Sequence, residues 1–167
     1  MKNNLKTKIL STFVIVILVI ADQVIKLFVD FYLKPIETFT VIPSVLQLRY
    51  LENTGAMMGF FEGKTTFMTI AAIICMLVVI AVIYSGWLTS KVDYVCVVLI
   101  AAGGMGNIID RAFRGYVIDY IEVLFVDFYV FNFADCLITC AAFAIIFYQI
   151  YCLLKENKKK KVKTPDD

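Results

Sequence analysis

The sequence predicts an α-helical integral membrane protein with four transmembrane helices, a small extracytoplasmic β-sheet and a periplasmic-side loop. Three observations carry that prediction. Of the 167 residues, 61% are hydrophobic and only 18% charged, with a mean hydropathy of +0.84. A soluble domain of this length needs more polar surface, so lipid must be the solvent for most of the chain. Four apolar stretches are long enough to cross a bilayer core, which takes about 20 helical residues. Finally, the basic residues collect on alternate connections between those stretches. The length suits one membrane-embedded domain, residues 1–167, with no room for a second globular unit.

The spans cover about residues 9–29, 65–87, 92–109 and 133–154. Lys2, Lys6 and Lys8 precede the first, Lys91 lies between the second and third, and a basic tail (155–167) follows the fourth with Lys155, Lys158, Lys159, Lys160, Lys161 and Lys163. Those three segments share one side of a four-span protein, and the positive-inside rule makes that side cytoplasmic. The outer segments are then about 30–64 and 110–132. The lysine run reads as a topogenic anchor on anionic headgroups and calls for no nucleic acid. Beyond Lys163 the chain is expected to be disordered. Residues 2–21 also resemble a secretory signal, with Val19-Ile20-Ala21 as a cleavage site. The apolar pattern continues past it through Val24, Ile25, Leu27, Phe28 and Val29, which favours a retained membrane anchor.

In the first outer segment, Thr38 to Ile42 and Val45 to Leu51 are rich in β-branched, aromatic and leucine residues around Pro43, and predict two short strands joined by a turn. Asn53-Thr54-Gly55-Ala56 followed by Gly59 is a further turn signature. In the second outer segment, Phe125 to Phe133 reads either as another strand or as an interfacial stretch at headgroup level. Asp119 reads as a loop residue.

Histidine is absent. That removes Ser-His-Asp and Cys-His arrangements and HExxH zinc chemistry, leaving catalysis to Asp, Glu, Lys, Arg, Tyr or Cys. The five cysteines form no CxxC and border apolar runs, so they read as small apolar filler.

Charged groups within spans are costly and usually functional. Here they gather at one level. Asp22 and Lys26 share a face of the first helix at i,i+4, about 20 Å of rise beyond Ile9. Asn107, Asp110 and Arg111 close the third span, Asn132 and Asp135 open the fourth, and Asp119 lies between. Each has a plain alternative. Asp22 with Lys26 reads first as a salt bridge that lets both tolerate burial. Asp110 with Arg111 and Arg114 could be an interfacial charge group, Asn132 an N-cap with Asp135 favouring the helix dipole, and Asp119 a solvated bystander. Gly103 and Gly104 read as close-packing positions; at Gly106 packing and access for substrate both remain open.

Together these segments resemble the bacterial lipoprotein signal peptidases, or signal peptidase II. The motifs are Asp22-Gln23-x-x-Lys26, Asn53-Thr54-Gly55-Ala56, Gly106-Asn107-x-x-Asp110-Arg111, Val117-Ile118-Asp119-Tyr120 and Phe131-Asn132-x-Ala134-Asp135. Five ordered motifs with matching spacing cover nearly the whole chain between its basic ends. The resemblance implies a membrane aspartic endopeptidase in which Asp119 and Asp135 form the catalytic pair. Asp22, Lys26, Asn53, Gly55, Asn107, Asp110, Arg111 and Asn132 would support that pair and the substrate. It further implies a diacylglyceryl-modified prolipoprotein substrate cleaved just before its lipidated cysteine, no metal or other cofactor, membrane lipid as surroundings and a monomer. The location implied is the bacterial cytoplasmic membrane, with both termini cytoplasmic and the site at the outer face. Tyr120 stands where the family commonly has Phe, and Cys136 where a small hydroxyl residue is common.

Two other classes compete. An ion- or proton-coupled transporter would use intramembrane charges, but near the midplane and on repeated halves. A non-catalytic assembly factor would use the polar cluster for packing, which gives no reason for two carboxylates from separate segments to converge.

Overall fold

Inside a bilayer the backbone has no water to bond, so an apolar span must close its own hydrogen bonds and becomes a helix. The structure, a computed structural model, describes residues 5–55, 64–126 and 128–163. All four apolar stretches are helical in it: α1 (Leu5–Phe28), α2 (Thr65–Ser85), α3 (Lys91–Phe113) and α4 (Phe133–Lys163). Each is long and apolar enough to cross a membrane. Three strands, β1 (Thr38–Ile42), β2 (Leu46–Asn53) and β3 (Val117–Val123), form one antiparallel sheet in the order β1-β2-β3.

The helix ends follow local chemistry rather than hydropathy alone. α1 runs on through a π-helical turn, Val29–Leu33, in which the Lys34 N–H donates to the Val29 carbonyl at 3.1 Å. α2 stops at Ser85 because Gly86 takes the left-handed conformation, φ 84°, and this leaves Trp87 outside the helix. α3 begins behind Ser90, whose hydroxyl accepts the Asp93 N–H at 3.4 Å. α4 continues past Leu154 to Lys163, because lysine and glutamate are good helix formers and no Gly or Pro interrupts them. Lys2, the residues after Lys163, and Ala56 and Gly59 of the turn signature lie outside the described residues.

The third strand is not where the aromatic run suggested. It is Val117–Val123, and Phe131 joins it only through an isolated bridge to Ile121. Residues 117–120 are buried on both faces, so the apolar alternation that marks a strand is missing, and the aspartate within the run disguises it further. Asp119 is therefore a strand residue opposite Leu51, not a loop residue.

α3 is the central helix, packed against α1, α2 and α4. Polar contacts fix the two ends of the bundle. At one end Lys8 Nζ donates to the Tyr84 carbonyl at 3.1 Å, Ser11 Oγ to Tyr94 Oη at 2.9 Å, and Gln149 to Asp93. At the other end Asp22, Gly106 and Ala134 meet, and the sheet lies there, seated on α1 and its π-turn by Val29, Leu33, Ile118 and Tyr120. The outward surface carries Leu10, Phe13, Ile17, Ile20, Leu77, Val78, Phe143 and Phe147. Lys26, Asp22, Asp110, Asp119 and Asn132 are among the largest fully buried side chains. Apolar outside and polar inside is the distribution expected of a chain dissolved in lipid.

Two glycines of α3 differ in what they tolerate. A Cβ on Gly103 would lie 2.3 Å from the Ala134 carbonyl oxygen and 2.9 Å from Ile138 Cγ1, whereas one on Gly104 would meet only the terminal methyl of Met76 at 2.6 Å. A carbonyl in a helix cannot move without moving α4; a methionine methyl can swing aside. Gly103→Ala is expected to cost about 1–3 kcal/mol, seen as a lower Tm in detergent, and Gly104→Ala less than about 1 kcal/mol. Equal Tm values for the two variants would contradict this packing.

Candidate active site

The site is built around a buried ammonium. Lys26 is 0% exposed, and its Nζ reaches three acceptors: Asp22 Oδ2 at 2.9 Å, Asp110 Oδ2 at 2.8 Å and Asn107 Oδ1 at 3.0 Å. Three donors thus meet three oxygens, the condition under which a buried lysine can stay charged. The salt bridge expected of Asp22 and Lys26 is present, and it extends to α3. Asp22 Oδ1 also accepts the Ala134 N–H at 3.2 Å, which ties α1 to the start of α4. Gly106 permits this approach: a Cβ there would lie 2.5 Å from Asp22 Oδ2.

Asparagines carry the network outward. Asn132 caps α4 by accepting the Asp135 N–H on Oδ1 at 3.0 Å, while Asp135 Oδ2 accepts the Asn132 N–H at 3.1 Å. This reciprocal pair is a capping box with Asp in the place of Glu. The cap is more than a helix terminator, because Asn132 Nδ2 also donates to Asp119 Oδ1 at 2.6 Å and to Asn107 Oδ1 at 3.2 Å. Asn107 Nδ2 donates to Asp135 Oδ1 at 2.8 Å. From β2, Asn53 Nδ2 donates to Asp119 Oδ2 at 2.8 Å. Asp119 from β3 and Asp135 from α4 are therefore held by one shared asparagine.

The two carboxylates differ in surroundings. Asp119 is 2% exposed, whereas Asp135 stays partly open. Burial, and then the neighbouring Asp135 carboxylate, push the Asp119 pKa up to about 7, against the opposing pull of its asparagine donors. Beside it, burial raises the Tyr120 phenol, whose oxygen accepts the Phe133 N–H at 3.2 Å. A phenylalanine there could not cap α4 in this way.

Arg111 does not pair with its neighbour Asp110. Its Nη2 donates to the Gly55 carbonyl at 3.2 Å, and its Nε is buried with no hydrogen-bond partner among the described residues. The guanidinium borders a cavity of about 270 Å³ lined also by Thr65, Thr66, Thr69, Ile70 and Gly115. Gly55 is held by an N–H bond of 3.0 Å to Asn53 Oδ1, so the Asn-x-Gly turn fixes Asn53 and Arg111 together. Asp110, far from being an interfacial group, is 0% exposed; besides Lys26 it pairs with Arg114 and accepts the Ile118 N–H at 3.4 Å.

All ten residues singled out in the sequence thus lie in one connected network. Sequence reasoning passed over Gln23, which donates from Nε2 to Asp22 Oδ2, the Gly106 carbonyl and Asp110 Oδ1, each at 3.2 Å. The sequence groups Arg114 with Asp110, and the two do pair, but in a buried setting rather than an interfacial one. The spacing of Gln23 beside Asp22 was visible, but not the turn of its side chain towards α3. No group of three or more Asp, Glu or Cys among the described residues is placed to hold a metal ion. The five cysteines are free thiols and take no part.

Comparison with known proteins agrees with the motifs. Residues 14–151 match the model of the signal peptidase (SPase) II family. The lipoprotein signal peptidase of Fusobacterium nucleatum is 34% identical, with 90% of each chain covered. That of Lactococcus lactis subsp. cremoris is 34% identical over 86% of this chain and 94% of its own. A solved bacterial membrane enzyme, determined by the in meso method, superposes with a TM-score of 0.77 at 34% identity, covering 93% of this chain and 94% of the other. Motifs, fold and relatives converge: this chain is a multi-pass membrane peptidase and belongs to the signal peptidase II family.

Proposed function

We propose that the protein removes the signal peptide from diacylglyceryl-modified prolipoproteins, cleaving just before the lipidated cysteine, with Asp119 and Asp135 as the catalytic pair. The observation that carries this reading is the convergence of two carboxylates, from β3 and α4, on one residue: the Asn132 side chain donates to Asp119 and the Asn132 backbone N–H to Asp135. Neither a transporter nor a packing role calls for that convergence, and the charges lie at the sheet end of the helices rather than midway along them.

Two close carboxylates in a desolvated site share one proton, since ionising both is costly. Asp119, the more buried, holds it; Asp135, partly open and in the first turn of α4, where the helix dipole favours negative charge, is the ionised member. Asp135 then takes a proton from water as that water attacks the scissile carbonyl, while Asp119 hydrogen-bonds the carbonyl oxygen. When the tetrahedral intermediate collapses, the C–N bond breaks and the proton passes to the leaving amine. Water supplies the nucleophile, and no covalent enzyme intermediate is required. Asn53, Asn107 and Asn132 orient the pair; Asp22, Lys26 and Asp110 hold the elements that carry it. Arg111, which lines the cavity, and Gly55, whose carbonyl it bonds, position substrate backbone.

By the lysine distribution, both termini are cytoplasmic and the site lies at the outer face of a bacterial cytoplasmic membrane. A lipid-modified cysteine sits at that boundary, and its signal helix reaches the site through the bilayer. The enzyme works as a monomer in lipid, and the sheet helps to clamp substrate.

Two measurements test this function. Cleavage of a lipidated prolipoprotein by purified Asp119→Asn or Asp135→Asn should fall by at least about 10²–10⁴-fold with the Tm retained; full turnover in either variant would refute the pair. The pH profile of kcat/KM should fall as pH rises through about 7, because Asp119, with its pKa raised to about 7, then loses the shared proton. An ordinary carboxylate would already be ionised near pH 4, so activity declining above pH 4–5 would contradict the raised value.

A further inference from the structure

Arg114 belongs to none of the motifs that mark the site. It is the C-cap residue of α3, yet its Nη1 pairs with the fully buried Asp110 and donates to Gln23 Oε1 at 3.2 Å. The other oxygen of Asp110 holds Lys26 and the N–H of Ile118, the residue before Asp119. Arg114 is therefore one ion pair and one backbone bond away from the proposed pair.

The charged and titratable groups around that pair can be taken by element. α1 supplies Asp22 and Lys26. α3 supplies Asp110, Arg111 and Arg114. β3 supplies Tyr120, and α4 supplies Cys136 beside Asp135. β2 offers uncharged Asn53, its Glu52 being engaged by Lys34 at 2.9 Å. Behind the pair, two cations (Lys26, Arg114) face two carboxylates (Asp22, Asp110). With Lys26 and Arg114 balanced by Asp22 and Asp110, Arg111 is the further cation among the described residues that faces Asp119 and Asp135, which matches the single negative charge of a pair holding one proton.

We propose that Arg114 is a positioning residue for the peptidase reaction. Acting through Asp110, its guanidinium keeps the charge layer behind the pair neutral, and so sets the pH range over which Asp119 and Asp135 share one proton. The inference rests on the dyad reading given above. Without Arg114 that layer becomes net negative, which disfavours loss of either proton from the pair and moves both limbs of the pH profile upward. For one charge removed at second-neighbour range, with an effective dielectric of about 20 and partial screening, the shift is about 0.5–1 pH unit.

The test is the pH profile of kcat/KM for the full-length protein in nanodiscs, using Arg114→Gln, Arg114→Met and the charge-retaining Arg114→Lys, with Tm measured in parallel. Both neutral variants should fold and shift both limbs upward by about 0.5–1 unit, and the lysine variant should return them to the wild-type position. Unshifted limbs, with or without a uniform loss of rate, would overturn the proposal, as would neutral variants that fail to fold, since Arg114 would then be purely structural. Asp119→Asn in the same assay separates the two claims. If it is active, the dyad reading fails; if it is inactive while the Arg114 limbs stay in place, only the present inference fails.

Discussion

The ammonium of Lys26 is the point on which the rest of the site depends. A charge at this depth would be costly alone, and removing one partner of a buried pair typically costs about 3–5 kcal/mol. The chain meets that cost with three oxygens from two helices, Asp22 on α1 and Asp110 and Asn107 on α3. Each of these acceptors then has a second duty. Asp22 takes the Ala134 N–H, Asp110 takes the Ile118 N–H, and Asn107 bonds Asp135 and Asn132. One buried cation thus fixes the relative positions of α1, α3, α4 and β3. Helices in lipid lack a hydrophobic force to drive them together, so such polar contacts and small-residue packing carry more of the specificity than they would in water.

This arrangement explains why the carboxylates meet at the sheet end. Asp119 rides on a strand whose first half is buried, with Ile118 and Tyr120 packed against Val29 and Leu33, and Asp135 on the first turn of a helix. Asn132 couples them, since the cap that starts α4 is also the donor to Asp119. In the proposed mechanism, burial of Asp119 and the partial exposure of Asp135 give two chemically identical side chains different tasks.

Much of this was legible in the sequence, for identifiable reasons. The helices were readable because lipid leaves an apolar span one backbone solution, and the site residues because a charge within a span stands out. β3 was not readable, since a strand buried on both faces loses its alternation. The reach of Asp110 to Lys26 rather than to its neighbour Arg111 was hidden too, because adjacent residues on a helix point to different faces. Gln23 and Tyr120 contribute through side-chain directions that spacing does not encode. The five cysteines, read as filler, sit outside the network.

The proposed mechanism depends on one shared proton resting on Asp119 at the pH where the enzyme works. Isotope-edited infrared spectroscopy of protein labelled at aspartate carboxyls, in lipid nanodiscs, observes that proton directly. At pH 6 a protonated carboxyl band is predicted that disappears in Asp119→Asn and titrates away near pH 7 in the wild type. A spectrum in which every aspartate is ionised at pH 6, with no protonated band sensitive to Asp119, would contradict it.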